Sequence, residues 1–396
     1  MAEVWFVELA NGIGRFFLNP LVYWAILLVI VAGYKRIKKE RKRFGLKVFD
    51  MFAEWRHTWL ISVIFGLLLS IVTIGAGIVF SVEAIILLAS VTILLSLSLR
   101  FTLLSPSYTI GITFLLIFMA PFVLAYQSAL DPGLFESANF TGFSLLLAIL
   151  LSAEAFLLKR PSRDDTFPDL ESGHRGLMIG VHHLKKMTLI PFFILIPTGS
   201  ITSMAPFWPY FSVNGETYSL MLIPFVVGFD HIVRSELPEK AAARLAKSIH
   251  ILSLFVLFLA IGSLYIGWLS LAAVVIAIIG REFVSYRHRM ADRKMTPFFH
   301  RHERGIRVLA VIPGSPADRL GISAGEVIST VNGRKINDMD AFYNALQEGG
   351  AFFKLGIIGD NSEVRFVQSA LYEADHHELG VITISKPYRD IESLTT

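Results

Sequence analysis

The chain has 396 residues, of which 54% are hydrophobic and only 17% are charged, with a formal net charge of +4. A soluble domain carries about a quarter charged residues, so these values exclude an ordinary soluble protein, a disordered chain, a coiled coil and a collagen. The absence of cysteine excludes a disulfide framework, a thiol nucleophile and Cys-ligated metal centres. The composition therefore predicts a polytopic membrane protein with a smaller water-soluble part.

Nine apolar runs approach the length of about 20 residues that a helix needs to cross the hydrocarbon core of a bilayer. They are predicted as membrane-spanning helices over residues 21–34, 59–80, 82–99, 108–126, 140–158, 188–207, 219–233, 249–265 and 268–284. The first run extends backwards through Phe16 and Phe17. The sixth contains three prolines and the seventh is short, so these two could instead form a re-entrant pair. We predict a transmembrane domain over residues 1–286 with about nine helices, or seven without that pair.

Lys and Arg are concentrated in every second predicted loop, that is, in the loops on one side of the membrane. The loops assigned to one side hold 27 Lys and Arg, whereas the other side holds only Arg15. Because Lys and Arg in short loops stay in the cytoplasm, this asymmetry places the N-terminus outside and everything after Val284 inside. Removing the sixth and seventh runs together leaves the alternation intact. No basic region and cleavage site typical of a secretory signal peptide are visible at the N-terminus.

The composition changes after a basic cytoplasmic linker predicted over residues 287–304. Residues 306–312, 326–331, 352–358, 363–368 and 379–384 read as strands. Asp338 is expected to cap a helix over 339–347, which two glycines end. This pattern predicts a small α+β domain over residues 305–385, mostly β and shaped as a partly open barrel. Residues 386–396 are expected to be a flexible tail.

The segment GIRVLAVIPGSPADRLGISAGEVISTVNGRKINDMDAFYNAL, residues 305–346, resembles a bacterial PDZ domain. The resemblance implies that an extended peptide adds as a strand to a sheet edge, with its carboxylate held by backbone N–H groups of a Φ-G-Φ loop. The matching loop is Leu379-Gly380-Val381, close to the C-terminal end, so the domain is predicted to be permuted. The predicted groove consists of Leu379, Gly380, Val381, Ile382, Phe342 and Leu346. An ordinary closing strand is the alternative for residues 379–384.

Two other functions stay open at this point. A PDZ-bearing membrane protease or protease regulator is one, because Ser323 lies in a G-x-S-x-G segment; however, no H-E-x-x-H motif, phosphate-binding loop or metal site is found, and no cofactor is expected. A transporter with a regulatory PDZ domain is the other, because Glu154 and Asp230 lie deep in predicted spans.

A polybasic run follows the first predicted span directly. It consists of Lys35, Arg36, Lys38, Lys39, Arg41, Lys42 and Arg43. Anionic lipid of the inner leaflet attracts such segments by about 1 kcal/mol per near-surface basic residue. No aromatic platform or DNA-binding motif follows, so nucleic acid is not expected as a partner.

The resemblance extends beyond the PDZ domain. Three features resemble the MinJ family of cell-division determinants in Gram-positive rods. They are the segment FFLNPLVYWAILLVIVAGYKRIKKERKRF (16–44), the segment VTILLSLSLRFTLLSPSYTIG (91–111) and the single C-terminal PDZ domain. The resemblance implies a non-enzymatic adaptor at poles and septa. It would bind the scaffold DivIVA and recruit MinD, and through it MinC, and other division proteins could take part.

The predicted orientation can be tested with a thiol, because the chain contains no cysteine. In an Asn361→Cys variant, a membrane-impermeant maleimide added to intact cells is expected to leave the protein unlabelled, and cell lysis should allow full labelling. Labelling in intact cells would place the C-terminal domain outside and contradict the orientation.

Overall fold

The computed structural model describes residues 2–126, 135, 138–173, 176–203, 208–210, 217–350, 352–370 and 379–384. The helices in these ranges are α1 (Ala2–Leu18), α2 (Pro20–Phe44), α3 (Trp59–Gly75), α4 (Val82–Ser96), α5 (Pro106–Leu124), α6 (Phe140–Leu158), α7 (Pro238–Gly262), α8 (Leu269–Lys294), α9 (Pro316–Arg319) and α10 (Met339–Glu348). The strands are β1 (Phe167–Ser172), β2 (Met178–Thr202), β3 (Thr217–Val233), β4 (Ile306–Val311), β5 (Val327–Val331), β6 (Arg334–Lys335), β7 (Phe352–Ile358), β8 (Val364–Ala370) and β9 (Val381–Thr383).

Seven of the nine predicted spans are helices, from α2 to α8. Within the described part of the chain, α2, α5, α6, α7 and α8 are long and apolar enough to cross a membrane. Helices α3 and α4 are apolar but shorter, with 17 and 15 residues. The first span does not extend backwards through Phe16 and Phe17, because these residues end α1. Asn19 separates the two helices and caps α2 by accepting a hydrogen bond from the Leu21 N–H at 3.0 Å.

The helices predicted over 188–207 and 219–233 are wrong. Residues 188–202 lie in β2 and residues 219–233 lie in β3, and the two strands pair antiparallel from His182↔Val233 to Thr202↔Thr217. Residues 204–207 lie outside the described residues. One face of this hairpin packs into the core formed by α3 to α8, and the other face packs against α1 and α2. A strand buried on both faces reads as a continuous apolar run, and such a run cannot be told from a buried helix by periodicity.

The hairpin extends through the full depth of the helical domain. At the end nearer the PDZ domain the Met187 N–H donates to the carbonyl of Glu54 at 3.1 Å, and at the other end the carbonyl of Leu195 accepts from the Phe80 N–H at 2.9 Å. Eight residues of extended chain separate these two contacts, which is about 26 Å. This length is close to the roughly 30 Å thickness of the hydrocarbon core.

Helix α3 lies along the outer edge of β2 and satisfies its backbone. The Ser70 hydroxyl accepts a hydrogen bond from the Phe193 N–H at 2.9 Å, and the Thr73 hydroxyl donates to the Phe193 carbonyl. Gly66 permits close approach, since a Cβ there would lie 2.0 Å from the Pro191 carbonyl oxygen. Pro191 pairs with Pro224 across the hairpin, where neither needs to donate a hydrogen bond.

The edge of β3 is satisfied in the same way by other parts of the chain. Arg15 of α1 donates to the Leu220 carbonyl at 2.8 Å, and the Thr102 hydroxyl donates to the Asp230 carbonyl at 2.8 Å. These contacts matter because an unsatisfied backbone group in the hydrocarbon costs several kcal/mol.

A buried ion pair joins α6 to α8 inside the helical core. Arg281 donates to Glu154 at 2.9 Å, and the Ser105 hydroxyl donates to the same carboxylate at 2.5 Å. The side chains of Glu154 and Arg281 are 0% and 2% exposed. Arg281 lies near the end of the predicted span 268–284 and is therefore buried inside the helix bundle rather than exposed in the basic segment that follows.

The C-terminal strands form one sheet in the order β8-β7-β5-β4-β9, with β6 paired to β5. Asp338 caps α10 as predicted, accepting from the Ala341 N–H at 2.8 Å. The predicted linker is helical up to Lys294, because α8 continues into it. The predicted tail, residues 386–396, lies outside the described residues.

Candidate functional site

The predicted peptide-binding strand is an edge strand. β9 pairs only with β4, through Val311↔Val381, Ala310↔Ile382 and Val308↔Thr383, and no other described strand pairs with its outer edge. An unpaired edge of this kind offers the row of backbone donors and acceptors that strand addition requires.

The predicted Φ-G-Φ loop forms a tight turn. Leu379 and Gly380 both have positive φ, 53° and 78°. Their carbonyls accept from the N–H groups of Ala317, at 3.0 Å, and Ile312, at 2.9 Å. These hydrogen bonds attach the turn to the start of α9 and to the end of β4.

Most of the predicted groove side chains meet in the core of the PDZ domain. Phe342, Leu346, Leu379 and Val381 belong to one buried cluster, each at most 6% exposed. These side chains lie buried beneath the edge of β9 and do not form an exposed border of the groove. Tyr343, half-buried on α10, packs against the same cluster and is the partly accessible aromatic side chain there.

Ile382 does not join this group. Successive side chains of a strand point to opposite faces, so Ile382 faces away from Val381. It packs into a separate apolar cluster between the PDZ domain and the membrane domain. The members of that cluster include Val48, Phe49, Phe167, Leu170, Leu237, Phe299, Leu309, Ala310 and Ile382. The side chain of Ile382 therefore lies outside the predicted groove, and a contribution of Ile382 to the groove through its backbone stays a prediction.

This cluster, which we call the docking interface, fixes the PDZ domain on one end of the membrane domain. Gly180 of β2 donates to the Phe299 carbonyl at 2.9 Å. A Cβ at Gly180 would lie 2.5 Å from the Leu309 Cδ1 and 2.9 Å from the Phe299 Cβ, so a larger residue there would have to displace both side chains. Sequence reasoning missed the interface because its members come from six separate segments, each with ordinary apolar residues.

Polar contacts reinforce the docking interface. Arg163 forms ion pairs with Asp360 of the PDZ domain and with Glu239 of α7, both at 2.8 Å. The neighbouring Asp164 accepts from the Ala324 N–H at 3.2 Å. Burial favours the neutral form of Arg163, but the carboxylates of Asp360 and Glu239 outweigh it and raise the pKa of Arg163. The guanidinium thus stays charged at the interface.

The polybasic run divides into ion-paired and exposed residues. Arg36 binds Glu40 at 2.7 Å and Glu54 at 2.8 Å, while Lys39 and Arg43 approach Asp169 of β1 at 2.5 and 3.7 Å. The remaining members point to solvent: Lys35, Lys38, Arg41 and Lys42. Three of the seven predicted lipid-binding residues are thus also structural, and two of them, Lys39 and Arg43, hold α2 to β1.

Asp169 is the centre of that contact. Burial would raise the pKa of the Asp169 carboxyl, but the hydrogen bond from His183 and the ammonium of Lys39 outweigh it and lower the pKa to about 2. The carboxylate is therefore ionised throughout the physiological pH range.

The residues considered for catalysis and transport have structural partners. Ser323 lies in the turn between α9 and β5, not between a strand and a helix, and its N–H donates to Glu326 at 3.0 Å. Glu154 is held by Arg281 and Ser105. Among the described residues, no group of His, Asp and Glu is arranged to hold a metal ion.

Comparisons with known proteins identify the C-terminal domain and relatives of the whole chain. The PDZ domain family model matches residues 307–355. The cell division topological determinant MinJ of Bacillus subtilis (strain 168) is 34% identical over 98% of this chain and 98% of its own length. Two proteins called probable cell division topological determinant MinJ, from Lacticaseibacillus paracasei and Lacticaseibacillus casei (strain BD-II), are each 20% identical over 92% of this chain and 96% of theirs. No solved structure matches the chain.

Gly380 is expected to be essential for the turn before β9. A Cβ there would lie 2.2 Å from the Ser315 Cβ, whereas a Cβ at Gly314, whose φ is also positive, would meet nothing within 4 Å. Gly314→Ala should lower the free energy of unfolding of the PDZ domain by about 1–2 kcal/mol, from backbone strain alone. Gly380→Ala should lower it by about 1–3 kcal/mol more, because the added Cβ overpacks the turn.

Amide hydrogen exchange of β4 and β9 in the full-length protein measures both changes. Equal effects of the two variants would contradict this account. Gly380→Asp would disturb the turn as well as block a bound peptide, so peptide binding needs a test at another residue.

Proposed function

This chain belongs to the MinJ family of cell division topological determinants, and on that premise we propose that it is a non-enzymatic membrane adaptor of division-site selection. It binds a DivIVA-type scaffold at the poles and septum. It recruits MinD, and MinC through MinD, so that septa do not form at the wrong place.

The observation that carries the proposal is the docked PDZ domain with an unpaired edge strand. β9 has no partner on its outer side among the described strands, while Ile382 and Leu309 attach its sheet to the membrane domain. A peptide added to β9 is thereby held at a fixed place near the membrane. Confinement to a surface raises the effective concentration of other membrane-bound partners.

The described residues include five helices that are long and apolar enough to cross a membrane, so the chain is a multi-pass membrane protein. The PDZ domain is proposed to face the cytoplasm, on the strength of the charge asymmetry between loops. It shares that side with Lys35, Lys38, Arg41 and Lys42, which are exposed on the cytoplasmic half of α2. These four residues are proposed to contact anionic lipid of the inner leaflet.

The adaptor role is tested by the position of a fluorescent fusion in rod-shaped cells. The fusion is expected at septa and poles when the DivIVA-type scaffold is present and spread evenly over the membrane when it is deleted. MinD should follow the same redistribution. Retention of the fusion at the poles without the scaffold would contradict the proposed link.

The peptide groove is tested by crosslinking from two aromatic positions. Tyr343 lies on α10 beside the core under β9, whereas Phe366 is 63% exposed on β8 at the opposite edge of the sheet. A photoreactive phenylalanine at Tyr343 is expected to capture a partner in cells, and the same group at Phe366 serves as the matched control. Capture from Phe366 alone would assign partner binding to the β8 edge.

A further inference from the structure

A crevice separates the PDZ domain from the membrane domain beside the docking interface. It has a volume of about 210 Å³. Three parts of the chain line it: the start of α7 with Lys240, the segment after α8 with His302 and Arg304, and the PDZ domain with Arg307 and Asp360.

The lining of this crevice carries an excess of positive charge. Asp360 is the one carboxylate among the lining residues, and it already binds Arg163 at 2.8 Å. Lys240 and Arg304 are exposed and form no ion pair with any described residue. Two flexible cationic side chains therefore remain available at the mouth of the crevice.

Arg307 supplies a third cation, which is held rigidly. Its guanidinium stacks on the ring of Phe298 at 4.6 Å and donates from Nη1 to the Phe298 carbonyl. Its Nε is buried and has no hydrogen-bond partner among the described residues. Burial lowers the pKa of Arg307, and the carboxylate of Asp360 opposes this only in part. A buried donor without an acceptor is costly, and an anion would satisfy it.

We propose that this crevice binds a phosphate group, carried by a soluble phosphate compound or by the headgroup of an anionic phospholipid. Lys240, Arg304 and Arg307 approach from three separate parts of the chain, which suits a tetrahedral anion with several acceptor oxygens. Lys240 lies in the first turn of α7 and therefore near the membrane surface, within reach of a headgroup.

Occupation of the crevice also stabilises the docked PDZ domain. The three parts of the chain that line it meet only when the domain is docked, so a ligand that contacts all three binds the docked state preferentially. Mass action then shifts the domain toward that state as the ligand concentration rises.

The test uses the full-length protein in nanodiscs and two probes: inorganic pyrophosphate in solution, and phosphatidylglycerol in place of phosphatidylcholine in the disc. Chymotrypsin cleavage after Phe298 or Phe299, which lie at the docking interface, measures undocking, and calorimetry measures pyrophosphate affinity. Lys240→Gln with Arg304→Gln removes the two flexible cations. Lys247→Gln with Arg301→Gln, also exposed and on the same two segments, is the matched control.

Three results together would assign the crevice to a soluble phosphate: pyrophosphate binds, it slows cleavage, and its affinity falls at least about tenfold in the first double variant but not in the control. Protection by phosphatidylglycerol alone, lost in the first double variant only, would assign it to a lipid headgroup. If neither probe slows cleavage, or if both double variants respond alike, the proposal is wrong.

Discussion

Backbone hydrogen bonding at the depth of the hydrocarbon is the constraint on which this fold depends. An extended chain cannot satisfy its own N–H and C=O groups there, so β2 and β3 must be paired with each other and covered on their outer edges. Ser70 and Thr73 of α3, the Phe80 backbone and Arg15 of α1 provide these partners. The arrangement of the surrounding helices follows from this need.

The same strand links the membrane domain to the PDZ domain. The first residues of β2 extend beyond the hairpin on the side of the PDZ domain, where β2 pairs with β1 and where Gly180 contacts Phe299 and Leu309. The PDZ domain is therefore docked through an apolar interface and through the ion pairs of Arg163, rather than attached only by a flexible linker. Its open edge, β9, has a defined position relative to the basic face of α2, which suits a protein that gathers partners on a membrane surface.

Buried charges in this protein have structural partners. Glu154 is neutralised by Arg281 inside the bundle, and Asp169 joins the basic half of α2 to β1. Pairing lowers the cost of burying such groups, and removal of one partner would leave a charge uncompensated. Arg307 departs from this pattern, since it forms no ion pair with a described residue and its Nε is buried without an acceptor. That difference is why the crevice beside it, and not the ion pairs, points to a ligand.

The sequence by itself determined the membrane class, seven of the nine apolar segments as helices, the PDZ domain and the capped helix at Asp338. These features depend on residue type within one segment: apolar length, basic flanks, turn residues and capping side chains. Only the tertiary structure decided that residues 188–202 and 219–233 are strands and that Ile382 faces the membrane domain rather than the groove. Both depend on which neighbours, distant in sequence, cover each face of a strand. A segment that is apolar on both faces has no hydrophobic periodicity from which those neighbours could be predicted.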